Sequence, residues 1–359
     1  MQGRESGELG RVLTADDLIA RHGVLNALAN HSRGVDRADA DLLGSAYHAG
    51  ATVDYGFYAG PAATLVEILA RAQKGALPTL HRTSNCWIRV EGERATSESY
   101  VIAYVEEAEL QRFVLGRYLD RLECRDGEWR LAHRTYVLDG NVNRPNSALR
   151  ADPPTGFEHF VPAGAKGAAD PGRALLAFHA ASARNTTMTT SPNKEAELDA
   201  ALARAEIHDL CMAYARGVDR ADEELLASIF TEDSTVISGV VNGSGKVFAR
   251  EITAFVSSNL EMCFHSVANE WVDVRGDEAV GEHYVIAQMV QAGTEVLTGG
   301  RYIDRYVRRD GRWLIQSRTF VADWSHSHES TMQRDGFYEA LTNRGCFGRQ
   351  DPVYAHWAA

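Results

Sequence analysis

Apolar residues first recur at helical spacing. Leu18, Ile19, Val24, Leu25 and Leu28 predict a helix over Ala15–Asn30 with Thr14 as its N-cap. Leu198, Leu202, Ile207, Leu210 and Met212 repeat the pattern further on. A short second helix is predicted at Ala40–Tyr47 and again at Glu223–Phe230. A third follows Pro61 to about Lys74, with its counterpart at Ala249–Leu260. The period then changes to two. Leu80–Val90, Ala95–Glu106, Arg112–Arg125 and Trp129–Leu138 are rich in β-branched and aromatic residues, which predicts strands. Arg-Asp-Gly at Arg125–Gly127 and Arg309–Gly311 marks hairpin turns with Gly at a position needing positive φ. Helices followed by a long antiparallel meander define an α+β unit rather than alternating βαβ.

The unit is written twice. GRYLDRLECRDGEWRLAHRTYVLD at Gly116–Asp139 returns as GRYIDRYVRRDGRWLIQSRTFVAD at Gly300–Asp323, with 13 of 24 positions identical. RGVDRAD occupies Arg33–Asp39 and Arg216–Asp222, and His81, Asn85 and Trp87 map onto His265, Asn269 and Trp271. TGFEHF followed by GAADP is echoed by DGFYEA followed by GRQDP, so each unit is expected to end in an extended tail. The expected boundaries are 12–178 for the first unit, 179–194 for a Ser/Thr-rich linker and 195–359 for the second.

Composition narrows the function classes. A net charge of −12 argues against nucleic acid or an anionic membrane as partner, because both require a basic face. No run of 18 apolar residues and no apolar signal core is present. Five cysteines without a CxxC spacing fit free thiols in a reducing, cytoplasmic setting.

Residues retained by both copies that are not obvious core or turn positions are the candidates for chemistry. Simple alternation along Leu80–Val90 puts His81, Thr83, Asn85 and Trp87 on one face, with His265, Asn269 and Trp271 in the second copy. Tyr100 and Tyr284 come from the next strand, and Arg134 and Arg318 from the last. Asp36 and Asp219 stand where the first helix turns back towards the sheet. A carboxylate bonded to one ring nitrogen of a histidine leaves the other as a competent base, and a nearby arginine can hold a developing anion. That equipment suits proton abstraction from carbon and expulsion of a leaving group, without a cofactor.

EIHDLCMAYARGVDRADEELLASIF, FHSVAN and GGRYIDRYVRRDGRW resemble, in order, segments of the SnoaL-like branch of the nuclear-transport-factor-2-like superfamily. That group includes scytalone dehydratase, bile-acid 7α-dehydratase and hexachlorocyclohexane dehydrochlorinase. The resemblance implies two tandem cone-shaped domains, each with three helices on a curved antiparallel sheet. It implies catalytic dyads Asp36–His81 and Asp219–His265, with cavity arginines Arg134 and Arg318. A family tyrosine falls on Tyr214, where the first copy has His31. Asn85, Trp87, Tyr100, Asn269, Trp271, Tyr284 and His31 are the expected substrate contacts. The implied activity is a cofactor-independent lyase acting on a hydrophobic cyclic or aromatic small molecule, by dehydratase-like elimination with loss of halide or formaldehyde as the alternatives. A non-catalytic binding or scaffold protein, and an isomerase or polyketide-type cyclase, remain open alternatives.

Other retained groups read as structural. Arg117, Asp120 and Arg121, with Arg301, Asp304 and Arg305, suggest a cross-strand or intersubunit ion-pair network to which Glu98 and Glu282 are expected to bond, with extra acid/base groups as the alternative for the two glutamates. WSHSHES at Trp324–Ser330 offers a His-x-His pair that the first copy lacks, so no metal is expected there. A homo-oligomer or an intrachain pseudo-dimer is the expected assembly.

Overall fold

The computed structural model describes residues 12–77, 79–146, 166–169 and 194–358. The first unit begins with α1 (Ala15–Asp36), α2 (Ala40–Ser45), β1 (Tyr47–Asp54), β2 (Ala59–Pro61) and α3 (Ala62–Gln73). Four long strands follow: β3 (Thr79–Glu91), β4 (Arg94–Glu106), β5 (Leu110–Arg125) and β6 (Glu128–Pro145). The second unit repeats this plan as α4 (Lys194–Asp219), α5 (Glu223–Ser228), β7 (Phe230–Ile237), β8 (Asn242–Gly243) and α6 (Gly245–Asn259). Its long strands are β9 (Met262–Arg275), β10 (Glu278–Gln291), β11 (Thr294–Arg309) and β12 (Arg312–Glu329), and a tail ends in α7 (Pro352–Ala358). The α+β class and the tandem arrangement are as the sequence predicts.

Each sheet has six strands, in the orders β2-β1-β6-β5-β4-β3 and β8-β7-β12-β11-β10-β9. The four-strand meander is antiparallel, but β1 lies parallel on β6, so the sheet is mixed rather than purely antiparallel. The sequence HAGAT within β1 hides this strand, because its small and polar residues give no apolar alternation. Helix α2 therefore stops at Ser45, and Tyr47 belongs to β1. Helix α1 continues past Asn30 to Asp36, and α6 starts ahead of Ala249 because Ser244 caps it through the amide of Val247. Of the expected linker 179–194, only Lys194 lies within the described residues, and it opens α4. Most of the first unit's expected tail lies outside them.

Local chemistry explains the elements. Thr14 and Asp17 form a reciprocal capping box at the start of α1, satisfying two amides the helix leaves free. Ala20, Val24, Ala27, Leu28 and Val35 are buried on one stripe of α1. Asp126 and Gly127 both adopt positive φ, as do Asp310 and Gly311, the backbone of a tight hairpin turn.

The two sheets meet through the faces turned away from their helices. Trp87, Leu119 and Val137 of the first unit are buried in the second unit's core, and Tyr100 packs on Phe264 with Leu115, Val142 and Met262. Each such side chain contributes roughly 1.5–3 kcal/mol when fully withdrawn from water. At the centre lies a buried network of alternating charge. Arg117 bonds Glu98, Asp139 and Asp351, Arg220 bonds Asp139 and Asp351, and Arg216 bonds Glu98. Arg117 is 0 % exposed. Three cations therefore face three anions, and the network joins β4, β5, β6, α4 and the C-terminal tail. The counterpart of Arg117, Arg301, sits at the surface, paired with Asp323 and Glu282. The retained arginine is structural in both copies, but only one of the pair is buried.

The tail of the second unit also completes the first. Tyr338 and Leu341 join the first unit's helix-side core, Tyr338 donates to Asn143 Oδ1 at 2.7 Å, and the Trp357 ring packs tilted at 47° against Trp87, with centroids 5.2 Å apart.

Removing one partner from a buried charge network costs about 3–5 kcal/mol, so Asp351→Asn is expected to destabilise the chain by that order at pH 7. Burial opposes the charge of Asp351, but Arg117 and Arg220 more than offset this and hold its carboxyl well below the usual range. Its contribution is thus present above the unfolded value of about 4 and is lost as pH falls towards the depressed folded value. Denaturant unfolding of both proteins from about pH 7 to about pH 3 should show the gap between them closing on acidification.

Candidate active site

The RGVDRAD segment builds the first half of each site. Helix α1 ends on Asp36, after which Ala38 takes φ 51° and lets the chain reverse, and Asp39 caps α2 through the amide of Leu42. Gly34 is required here, because a Cβ would lie 2.5 Å from the backbone of Leu43. This geometry aims the Asp36 carboxylate at β3. One oxygen accepts the His81 amide at 2.8 Å, and the other pairs with His81 Nδ1 at 2.7 Å. The second unit reproduces both contacts: Asp219 accepts the His265 amide at 2.8 Å and pairs with Nδ1 at 2.5 Å.

A carboxylate can only accept, so Nδ1 carries the proton in both pairs and the lone pair of the neutral ring falls on Nε2. Among the described residues Nε2 of neither histidine is hydrogen-bonded. The His81 and His265 side chains remain 15 % and 12 % exposed against 6 % and 0 % for their aspartates, so a solute reaches the ring and not the carboxylate. Burial opposes charge on Asp219, but the His265 ring and amide and nearby Arg220 hold it below the usual carboxylate range.

Each sheet adds an arginine on the same helix-covered face. Arg134 donates two bonds to Asp120 at 2.7 and 2.8 Å, and Arg318 two to Asp304 at 2.9 and 2.7 Å. Both pairs are buried, and among the described residues Nη1 of each arginine has no hydrogen-bond partner. Arg134 lies 3.8 Å over the Tyr118 ring, and Arg318 lies 4.1 and 4.4 Å over Tyr214 and Tyr302.

Aromatic rings line both sites, with different polarity. In the first, His31 bridges Tyr47 and Tyr55, whose hydroxyls lie 3.1 and 3.3 Å from its ring nitrogens, with Tyr118 and Tyr136 beside them. Burial, then the charges of Arg134 and His81, push His31 well below its usual range, so it is a neutral ring. Burial pushes the phenols of Tyr47, Tyr55 and Tyr118 upwards. In the second, Tyr214 stacks on Phe248 beside Phe230 and Tyr302, and burial pushes its phenol up to about 12.

Several expected contacts lie elsewhere. Asn85 and Asn269 have φ 47° at a one-residue bulge, where Ser84 pairs with Tyr100 but Trp87 pairs with Glu98. The extra residue inverts the alternation. His81 and Thr83 face the helices, whereas Trp87 faces the other unit, as does Tyr100. Asn85 donates to the carbonyl of His265 and accepts from the amide of Val267, both at 2.7 Å, so it joins the units rather than binding a solute. Asn269 is exposed, and Trp271 and Tyr284 are 60 % and 47 % exposed, outside the second site. His31 and Arg134 lie among the aromatic rings of the first unit, and Tyr214 and Arg318 among those of the second. Tyr118, Asp120, Tyr302 and Asp304 were not expected in the sites; the Tyr-x-Asp spacing in both GRYxDR segments, two residues apart on one strand face, is the signal for them.

The sequence of both units matches a known family. The SnoaL-like domain profile matches residues 16–135 and 199–319, roughly two thirds of the chain, and the chain belongs to that family, with the domain present twice. Among curated relatives, the γ-hexachlorocyclohexane dehydrochlorinase of Sphingobium indicum is 28% identical over 133 residues, covering 36% of this chain and 85% of its own length. The solved type 2 hexachlorocyclohexane dehydrochlorinase has TM-score 0.35 and 26% identity, covering 37% of this chain and 93% of its own. A putative scytalone dehydratase from Novosphingobium aromaticivorans has TM-score 0.33 and 21% identity, covering 37% and 94%.

The depressed His31 gives a direct test. The unfolded chain takes up a proton near pH 6.5 that the folded site refuses, so His31 lowers stability as pH falls through that value. His31→Phe, which cannot titrate, is expected to show a shallower loss of stability between about pH 7 and about pH 5. An unchanged slope would show that His31 is protonated in the fold.

Proposed function

We propose that the chain is a cofactor-independent lyase that eliminates water, or halide, from a hydrophobic cyclic or aromatic small molecule. The observation that carries this reading is the repeated Asp–His pair whose Nε2 is unbonded among the described residues, on the same helix-covered sheet face as an arginine whose Nη1 has no partner there. His81 and His265 act as bases, taking a proton from substrate carbon while Asp36 and Asp219 stabilise the imidazolium. The carbon–hydrogen electrons form the new double bond, and the leaving group departs with its pair. Arg134 and Arg318 hold the charge that develops there. Where the leaving group is hydroxide it must also gain a proton, and the neutral Tyr214 phenol is the donor in the second site. Asp120 and Asp304 are positioning residues that fix the guanidinium planes.

The dehydrochlorinase relatives make halogenated cyclohexanes the first substrates to assay, with hydroxylated cyclic and aromatic compounds alongside, products being read by mass as loss of hydrogen chloride, water or formaldehyde. With one unit silenced by His→Ala, Asp→Asn in the other should lower kcat by roughly 10²–10⁴ while the melting temperature stays within a few degrees. His265→Ala is expected to reduce turnover at least as much as His81→Ala, since only the second site has the tyrosine. An Asp219→Asn protein with undiminished rate would leave the second site as a binding pocket.

A further inference from the structure

The second unit carries a polar cluster that the first lacks. Cys211 on α4, Glu270 on β9 and His283 on β10 offer Sγ, a carboxylate oxygen and a ring nitrogen that all lie within 4.8 Å of one another. The corresponding first-unit residues are Leu28, Cys86 and Ser99, so the cluster is not required by the fold.

Hydrogen-bond donors decide what the cluster presents. Tyr306 donates to Asp304 Oδ2 at 2.6 Å, because a carboxylate paired with Arg318 can only accept. At 2.7 Å from His283 Nε2, its oxygen must therefore accept the Nε2 proton. That puts the lone pair of His283 on Nδ1. The residue is 0 % exposed and Nδ1 has no hydrogen-bond partner, a costly state for a buried acceptor. Glu270 Oε2 lies 3.8 Å away. His208 donates Nε2–H to the carbonyl of Cys86 at 2.8 Å and Nδ1–H to Glu270 at 2.9 Å. A carbonyl and a carboxylate can only accept, so both ring nitrogens carry protons, His208 is an imidazolium and Glu270 an anion. Two electron-rich atoms thus face each other across a gap with Cys211 as the third side.

We infer that Cys211, Glu270 and His283 form a binding site for a borderline-soft divalent cation, zinc by preference. Sulfur, imidazole nitrogen and one carboxylate oxygen are the donors such ions select, and three protein ligands leave a fourth tetrahedral position. Bonds of about 2.0–2.3 Å place ligand atoms roughly 3–4 Å apart, so the most widely separated atoms of the cluster, within 4.8 Å of one another, need to approach by about 1–2 Å. Burial pushes the Cys211 thiol up to about 12 and Arg318, whose Nη2 lies 3.7 Å from Sγ, offsets this only in part, so binding must exchange the Cys211 proton for the metal. His208 orients Glu270 from behind, as outer carboxylate–histidine contacts commonly do. A groove of about 560 Å³ lined by Arg204, His208, Glu270 and Trp271, among others, adjoins the cluster at Glu270.

Titration of the full chain with Co²⁺ tests this, because a cobalt–thiolate bond gives charge-transfer absorption in the near ultraviolet. One equivalent should saturate that absorption, and Zn²⁺ should displace it. Cys211→Leu and His283→Ser, which install the first unit's own residues, should each abolish it or weaken binding at least tenfold, with circular dichroism verifying the fold. Cys263→Ala should keep it. The Cys263 control matters because Asp219, Cys263 and His265 also lie close together. Absence of the absorption in the wild type, its survival in folded His283→Ser, or its loss only in Cys263→Ala overturns the assignment. None of these readouts depends on turnover.

Discussion

One residue too many in β3 and in β9 governs how this chain is put together. A flat strand shows alternate side chains to the same face throughout its length, but each sheet here must serve two environments. The bulge at Asn85 changes the alternation partway along. Upstream of it, His81 looks towards the helices and meets Asp36. Downstream, Trp87 looks towards the other unit and is buried there. Asn85 tolerates the left-handed backbone and spends its amide on the neighbouring β9. The same residue therefore sets the site and fastens the interface.

The charge network shows how duplication has been used unequally. Arg117 and Arg301 descend from one position, with Glu98 and Glu282 beside them. In the first unit these groups are sealed between the halves and joined by Asp139, Asp351, Arg216 and Arg220. In the second they remain at the surface. Breaking the buried set is expensive because each removal strands a partner, whereas the exposed set carries little stability. Identical residues have thus acquired different importance from burial alone.

Much of this was legible in the residues. Periodicity and the repeated Asp-Gly turns show helices followed by strands, and the two copies of RGVDRAD and of His81/His265 mark the pair that the fold brings within hydrogen-bonding distance. Two things were hidden. Strict alternation assigned Trp87, Tyr100, Trp271 and Tyr284 to the cavity, because a bulge leaves no periodic trace. Strand β1 was invisible because it is held by parallel pairing to β6 rather than by its own apolar alternation. Comparing the copies also favours what they share, which is why His283 and Glu270, present once, did not stand out.

The placement of Tyr338, Leu341 and Asp351 bears on the order in which the chain can fold during synthesis. These residues fill the first unit's core and neutralise Arg117, yet they are translated after the whole second unit. The first unit can form its secondary structure early, but its buried arginine has only part of its counter-charge until residue 351 is made. The emerging half is thus an incomplete domain with exposed apolar surface at Trp87 and Tyr100, and its own duplicate is the partner that covers it.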